Sequence, residues 1–230
     1  MNRHSVVSGR HEKAGDKDGD KRERILDAAV RIFADKGFYN AKVSEIARVA
    51  GVADGTIYLY FKSKDDLLIS LFEDRMEGVN ARAREALAAG GAPVDQLRRL
   101  LALHLAQVEQ NPHLAEVLTV ELRQSTKFLK EYRQTRFGEF LKLLAQPIEE
   151  GQRDGSLRAD VEPHVVARAL FGALDELALA WVLGRSGKRR RGFEPEAVAR
   201  QLADLFVDGL RNPSPPAKEE PPAANKRRLP

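Results

Sequence analysis

Residues 42–68, KVSEIARVAGVADGTIYLYFKSKDDLL, constrain the fold more than any other part of the chain. Val43, Ile46, Ala47 and Ala50 recur at three- and four-residue spacing, which puts them on one face of a helix about two turns long. Gly51 ends that helix, because a residue without a Cβ takes the positive φ of a sharp exit. A second short helix is expected to start near Asp54, with its carboxylate accepting from the free N–H groups of the first turn. Ile57 would face the core, leaving Thr56, Tyr58, Leu59 and Tyr60 for something outside.

A small residue at Ala47, a glycine four positions later and a β-branched apolar residue six after that form the spacing of a DNA-reading helix-turn-helix. Other helical hairpins satisfy the same spacing. GVADGTIYLYFKSKDDLL also resembles the N-terminal domain of the TetR family of bacterial transcriptional repressors: Gly51, Val52, Gly55, Tyr58, Tyr60, Phe61, Lys64 and Leu67 fall on its pattern. Upstream, Ile25, Ala29, Phe33, Gly37 and the Ile46-Ala47 pair match as well. The resemblance implies a homodimer on a palindromic operator, with Tyr58 and Lys64 on phosphates and Gly55, Thr56 and Tyr60 near the groove. Lys42, Val43, Ala53, Asp54 and Leu59 complete the expected DNA-facing set. Ala41-Lys42 and Ala53 stand where the family usually has Ser or Thr. Asn40 or Ser44 could cap the second helix instead, and Lys42 could hold a phosphate by charge.

Strand signals are absent, so the expected fold is all-α. Pro93, Pro112, Pro163 and Pro195 each stand where a helix should begin, the position at which a missing N–H costs nothing. Helices are expected over 21–36, 63–87, 93–110, 112–123, 126–153, 162–184 and 194–210, besides the two of the motif. Pro147 should kink or break the one it lies in. The expected organisation is an arm without structure at 1–20, a DNA-binding domain at 21–66, a ligand-binding and dimerisation domain at 67–211, and a proline-rich tail at 212–230.

The chain has no cysteine, which excludes disulfides and thiolate metal sites. Its five histidines are scattered, so no metal or other cofactor is expected. With no long apolar run and no signal-peptide pattern, a cytoplasmic protein without a membrane partner is expected. From Lys21 to Lys64 there are nine Lys or Arg against five acids, 9 − 5 = +4, a basic balance that suits a polyanion and also an ordinary solvated surface. The clusters Arg185–Arg191 and Lys226–Arg228 read as solvated segments or minor contributors to DNA affinity.

Two stretches beyond the motif, ELRQS at 121–125 and FGALDELALAWVL at 171–183, resemble the fatty-acid-degradation repressors of the TetR family, the FadR type. In that type a long-chain acyl-CoA is the effector, and its binding releases the operator. An acyl chain needs an apolar tunnel, for which Leu101, Leu105, Leu118 and Leu122 are candidates together with Phe137, Leu141, Leu174 and Ala178. A basic mouth could come from Arg98, Arg99, Arg133 and Arg136. Asp175 and Glu176 interrupt an otherwise apolar helix and need a cation, a donor or a wet cavity, with Arg123 and Gln124 as candidate partners. Phe171, Leu179 and Leu183 from that helix, with Leu202, Leu205 and Phe206 from the last, are expected at a four-helix dimer interface.

Two other readings stand beside this one. A regulator of efflux or detoxification would keep the DNA-binding part and bind a hydrophobic, drug-like compound. An acyl-CoA-binding enzyme is disfavoured, since no Ser-His-acid set or cysteine is placed for nucleophilic catalysis.

Overall fold

The computed structural model describes residues 9–125, 127–128, 135–185 and 195–211. Among them the fold is all-helical, with nine helices: α1 (Gly9–Asn40), α2 (Val43–Ala50), α3 (Asp54–Tyr60), α4 (Lys64–Ala88), α5 (Pro93–Gln110), α6 (Pro112–Thr119), α7 (Thr135–Asp154), α8 (Pro163–Arg185) and α9 (Pro195–Leu210). The four prolines begin α5, α6, α8 and α9, as their fixed φ and missing N–H require. Ser63 caps α4 by accepting from the Asp66 N–H at 3.1 Å.

Three expectations are corrected. The helix of residues 112–123 stops at Thr119, and a 3₁₀ turn, Glu121–Gln124, follows it. Thr119 Oγ1 bonds back to the carbonyl of Ala115 at 2.8 Å, and Val120 leaves ideal helical geometry at φ −108°, so the two pieces do not merge. Residues 9–20, expected as part of a structureless arm, extend α1, because adding residues to an established helix costs little. Pro147 does not break α7, which runs through it. The helix expected to close at residue 36 does break at Gly37, at φ 75° and ψ 156°, and a single further turn to Asn40 follows it. Residues 1–8, the tail from 212 and the cluster around Arg189 lie outside the described residues.

One apolar core runs from α1 (Ile25, Phe33), α2 (Ile46) and α3 (Ile57) through Leu67, Leu68 and Leu71 of α4 to Phe140 and Leu144 of α7. The expected boundary after residue 66 therefore falls inside the first turn of α4, whose helix is shared by both parts. A second core gathers Leu97, Leu101 and Leu105 of α5 with Leu170 and Leu174 of α8 and Ala203 and Val207 of α9. Gly151 allows the chain after α7 to close over it: a Cβ there would stand 2.5 Å from Leu157 Cγ.

Candidate functional site

The turn between α2 and α3 follows from its glycine. Gly51 sits at φ 67° and ψ 38°, and the Val52 N–H returns to the Ala47 carbonyl at 3.0 Å, satisfying the end of α2. At the start of α2, neither Asn40 nor Ser44 is the cap. Lys42 takes the extended cap position, and Glu45 reaches back to its N–H at 3.4 Å. Glu45 is also bonded to Lys36 Nζ at 2.5 Å, which holds its carboxyl below the usual range. The lost hydroxyl at this position is thus replaced by an acid one turn on. Asp54 does not cap α3: Ala53 is the cap residue, no side chain serves it, and Asp54 stays exposed.

Ile57 is the buried residue of α3, at 2% exposure. Tyr58 and Leu59 project outward at 57% and 82%, Ala53 and Gly55 are exposed, and Thr56 and Val43 are half-buried. Tyr60 is half-buried, its ring 6.3 Å from that of Phe61. Lys64 is placed differently from a free phosphate ligand. Its ammonium donates to the carbonyls of Phe38, Tyr39 and Ala41 at 2.7, 3.0 and 3.1 Å and lies over the Phe38 ring, closing the corner between α1 and α2.

A cavity of about 630 Å³ lies where α1 and α4 meet α5, α6, α7 and α8. Its buried side is apolar or aromatic: Met76, Val108, Ala115 and Phe140, with the half-buried Val30, Val79, Leu118 and Phe171. Its rim is charged, with exposed Arg31 and Arg82 and the ion-paired Asp27, Asp74 and Arg75. Arg82 also donates to Gln107 Oε1 at 2.6 Å, while the buried Gln107 Nε2 has no partner among the described residues. His104 lines the cavity between the rings of Phe140 and Phe171, at 5.8 and 6.1 Å, and burial pushes its pKa down to about 4. The site can therefore take a ligand with a large apolar part and an anionic end.

Residues 25–71 match the family described as bacterial regulatory proteins, tetR family, and residues 72–209 match the YsiA-like protein C-terminal region. The chain belongs to the TetR family. Over 189 residues it is 32% identical to the fatty acid metabolism regulator protein of Bacillus subtilis (strain 168), spanning 82% of this chain and 95% of that one. It is similar to the crystal structure of the transcriptional regulator FadR from Bacillus subtilis in complex with stearoyl-CoA, with a TM-score of 0.75, 32% identity and coverage of 82% and 99%. FadR from Bacillus halodurans gives a TM-score of 0.74 at 33% identity over the same shares. The protein is a TetR-type transcriptional repressor, not an enzyme, and membership implies an operator DNA and dimerisation. Among the described residues no helix is long and apolar enough to cross a membrane.

Few of the residues expected to hold an effector in this TetR-family repressor line the cavity. Leu118 does. Leu101, Leu105 and Leu174 lie fully inside the second core, Leu122 and Leu141 inside the first, and Ala178 in a small cluster with Val108 and Val182. Phe137 reaches the cavity indirectly, stacked edge-on against Phe171 at 4.6 Å. Arg98 pairs with Asp204 of α9 at 2.6 Å, Arg99 donates to the carbonyls of Ala86 and Gly90, and Arg136 pairs with Glu77 at 2.5 Å. Arg133 lies outside the described residues. Arg123 is ion-paired with Asp175, whose carboxyl is nevertheless raised by burial more than the guanidinium lowers it. Gln124 uses its backbone carbonyl, which accepts from Tyr39 Oη at 2.8 Å.

Of the residues expected at a dimer face, Leu183 and Leu205 are exposed at 60% and 71%, and Leu179 and Phe206 are half-buried. Phe171 turns inward to the cavity and Leu202 into the second core. The cavity residues Val30, Arg31, Met76, Val79, Arg82, His104 and Gln107 were not among the effector residues expected from the sequence. They come from three helices, and the helical spacing within each does not distinguish a cavity wall from core or surface.

Proposed function

We propose that the protein is a homodimeric repressor that grips a palindromic operator through α2 and α3 and lets go when a long-chain acyl-CoA enters the cavity. One observation carries this reading: an apolar, aromatic-floored cavity with guanidinium groups at its rim touches α1 of the DNA-binding part and α4 to α8 of the rest. The acyl chain would lie against Met76, Val79, Leu118 and Phe171. Arg31, which makes no ion pair among the described residues, and Arg82 would meet phosphates, and Gln107 Nε2 would donate to a carbonyl of the ligand. The likeness to a fatty acid metabolism regulator and to a stearoyl-CoA complex supports the ligand class. The exposed Leu183 and Leu205 on α8 and α9 suit a two-fold interface that spaces two copies of α3 along DNA.

A hydrophobic cation, the ligand of the efflux-type reading, fits less well. The rim carboxylates it would need, Asp27 and Asp74, are already paired with Arg75 and Arg22. The test is fluorescence anisotropy with DNA from the gene's own upstream region, at low and high salt, with stearoyl-CoA, free CoA or a hydrophobic cation. Salt-sensitive binding lost with stearoyl-CoA and kept with free CoA is expected. Specific binding that ignores stearoyl-CoA and yields to the cation would replace the effector with a drug-like one.

A further inference from the structure

We infer that Glu121 is a positioning residue that transmits occupancy of the cavity to the helix-turn-helix. This rests on the reading of the cavity as the effector site. The ELRQS segment is not part of the cavity, yet it is joined to what the cavity and the DNA surface share. Pro112, His113, Leu114, Ala115 and Leu118 place α6 along the cavity wall, so an occupant bears on this helix. The chain leaves α6 at Thr119 and passes directly into the Glu121–Gln124 turn.

From that turn, bonds run to the DNA-binding part on one side and to α8 on the other. Glu121 Oε2 accepts the Phe38 N–H at 2.5 Å, the Gln124 carbonyl accepts Tyr39 Oη at 2.8 Å, and Ser125 Oγ donates to Asp65 at 2.7 Å. Arg123 is paired with Asp175 of α8.

The corner at 37–41 is therefore held from both ends. Gly37 leaves the helical conformation, and the N–H of the next residue goes to Glu121. The carbonyls of Phe38, Tyr39 and Ala41 go to Lys64. That corner sets the angle at which α2, and α3 packed on it, leave α1. Glu121 is a carboxylate only 7% exposed, a costly choice for a position whose surroundings an apolar side chain could fill. Gly37 supplies the φ of 75° that turns the next N–H toward this carboxylate, a conformation that favours glycine. An occupant that shifts α6 draws Glu121 off Phe38, the corner loosens, and the two recognition helices lose their register.

The test uses the full-length dimer, operator DNA from its own upstream region and stearoyl-CoA. Glu121→Met keeps the volume and removes the carboxylate. It is expected to weaken operator binding at least about tenfold without effector and to tighten stearoyl-CoA binding by about threefold or more, because the effector no longer has to break the bond. Glu121→Gln, which retains an acceptor oxygen, should restore both. A merely structural role would not move the two affinities in opposite directions.

Wild-type operator affinity in Glu121→Met, or parallel loss of both affinities, overturns the inference. Should that variant fail to fold, Ser125→Ala carries the same test, with shifts of about threefold in the same opposed directions. If the wild type does not bind stearoyl-CoA at all, the effector reading has failed. Glu121 is then judged by operator affinity alone: loss in Met with recovery in Gln supports its positioning role, and no loss overturns it.

Discussion

The surface proposed to face DNA and the cavity both involve the first part of the chain, but they are put together differently. Thr56, Tyr58 and Leu59 are carried by one seven-residue helix held at one fully buried point, Ile57, with Tyr60 half-buried against the same core. The cavity collects Val30 from α1, Val79 from α4, His104 from α5, Leu118 from α6, Phe140 from α7 and Phe171 from α8. In the first, the outward residues are whatever the inward residue leaves over. In the second, no residue's role is fixed until six helices have packed. A change on the DNA face should therefore alter binding and leave stability alone, whereas a change in the cavity should show in both.

The largest expected effect that tests this contrast comes from His104. Its folded pKa, depressed from 6.5 to about 4 by burial, keeps the ring neutral while the unfolded chain already takes up a proton. Between those values the unfolded state binds more protons, so stability is lost as pH falls through that window, by on the order of 3 kcal/mol at the lower end. Urea unfolding of the wild type and His104→Phe should show a smaller loss for the variant between about pH 7 and pH 4.5. Equal losses would mean that the His104 ring is solvated rather than desolvated between Phe140 and Phe171.

The same contrast decides what the sequence could reveal. Gly51, Ile57 and the prolines that begin α5, α6, α8 and α9 act on the backbone within one turn of themselves, and their consequences were readable. Asp54 misled because a cap residue one place earlier gives the same helix. The effector residues misled for a longer-range reason: Leu101 and Leu174 are as apolar as Leu118, and only packing decides which of them lines an empty space and which fills a core. Arg31, Arg82 and Gln107 offered no local signal. Glu121 did offer one, as the first residue of ELRQS, but its partner Phe38 lies 83 positions away.

Tyr58→Ala should give an intermediate effect confined to DNA. Tyr58 is 57% exposed on α3, so its loss removes no core contact. Operator affinity is expected to fall at least about tenfold, roughly 1.4 kcal/mol, with helicity, dimerisation and stearoyl-CoA affinity unchanged. Anisotropy together with circular dichroism and analytical ultracentrifugation would read it. Unchanged operator affinity would remove Tyr58 from the surface and move the search along α3 toward Thr56 and Leu59.

The smallest effect is the one that separates a pattern-based site from a packed one. Arg98 has the charge and the helix position of a tunnel mouth, but its guanidinium is paired with Asp204 of α9, on the side of α5 that bears on the second core. Both partners are partly exposed, with side chains at 36% and 59%, and such a pair is worth less than about 1 kcal/mol. Arg98→Ala should therefore lower the unfolding free energy by no more than that and leave stearoyl-CoA release of the operator as it was. Arg82→Ala, at the rim of the cavity, should weaken release about threefold or more at similar stability. If Arg98→Ala weakened release and Arg82→Ala did not, the ligand would enter between α5 and α9. The opposite result would keep it between α1 and α4, where occupancy can act on the helix that leads into the DNA-reading motif.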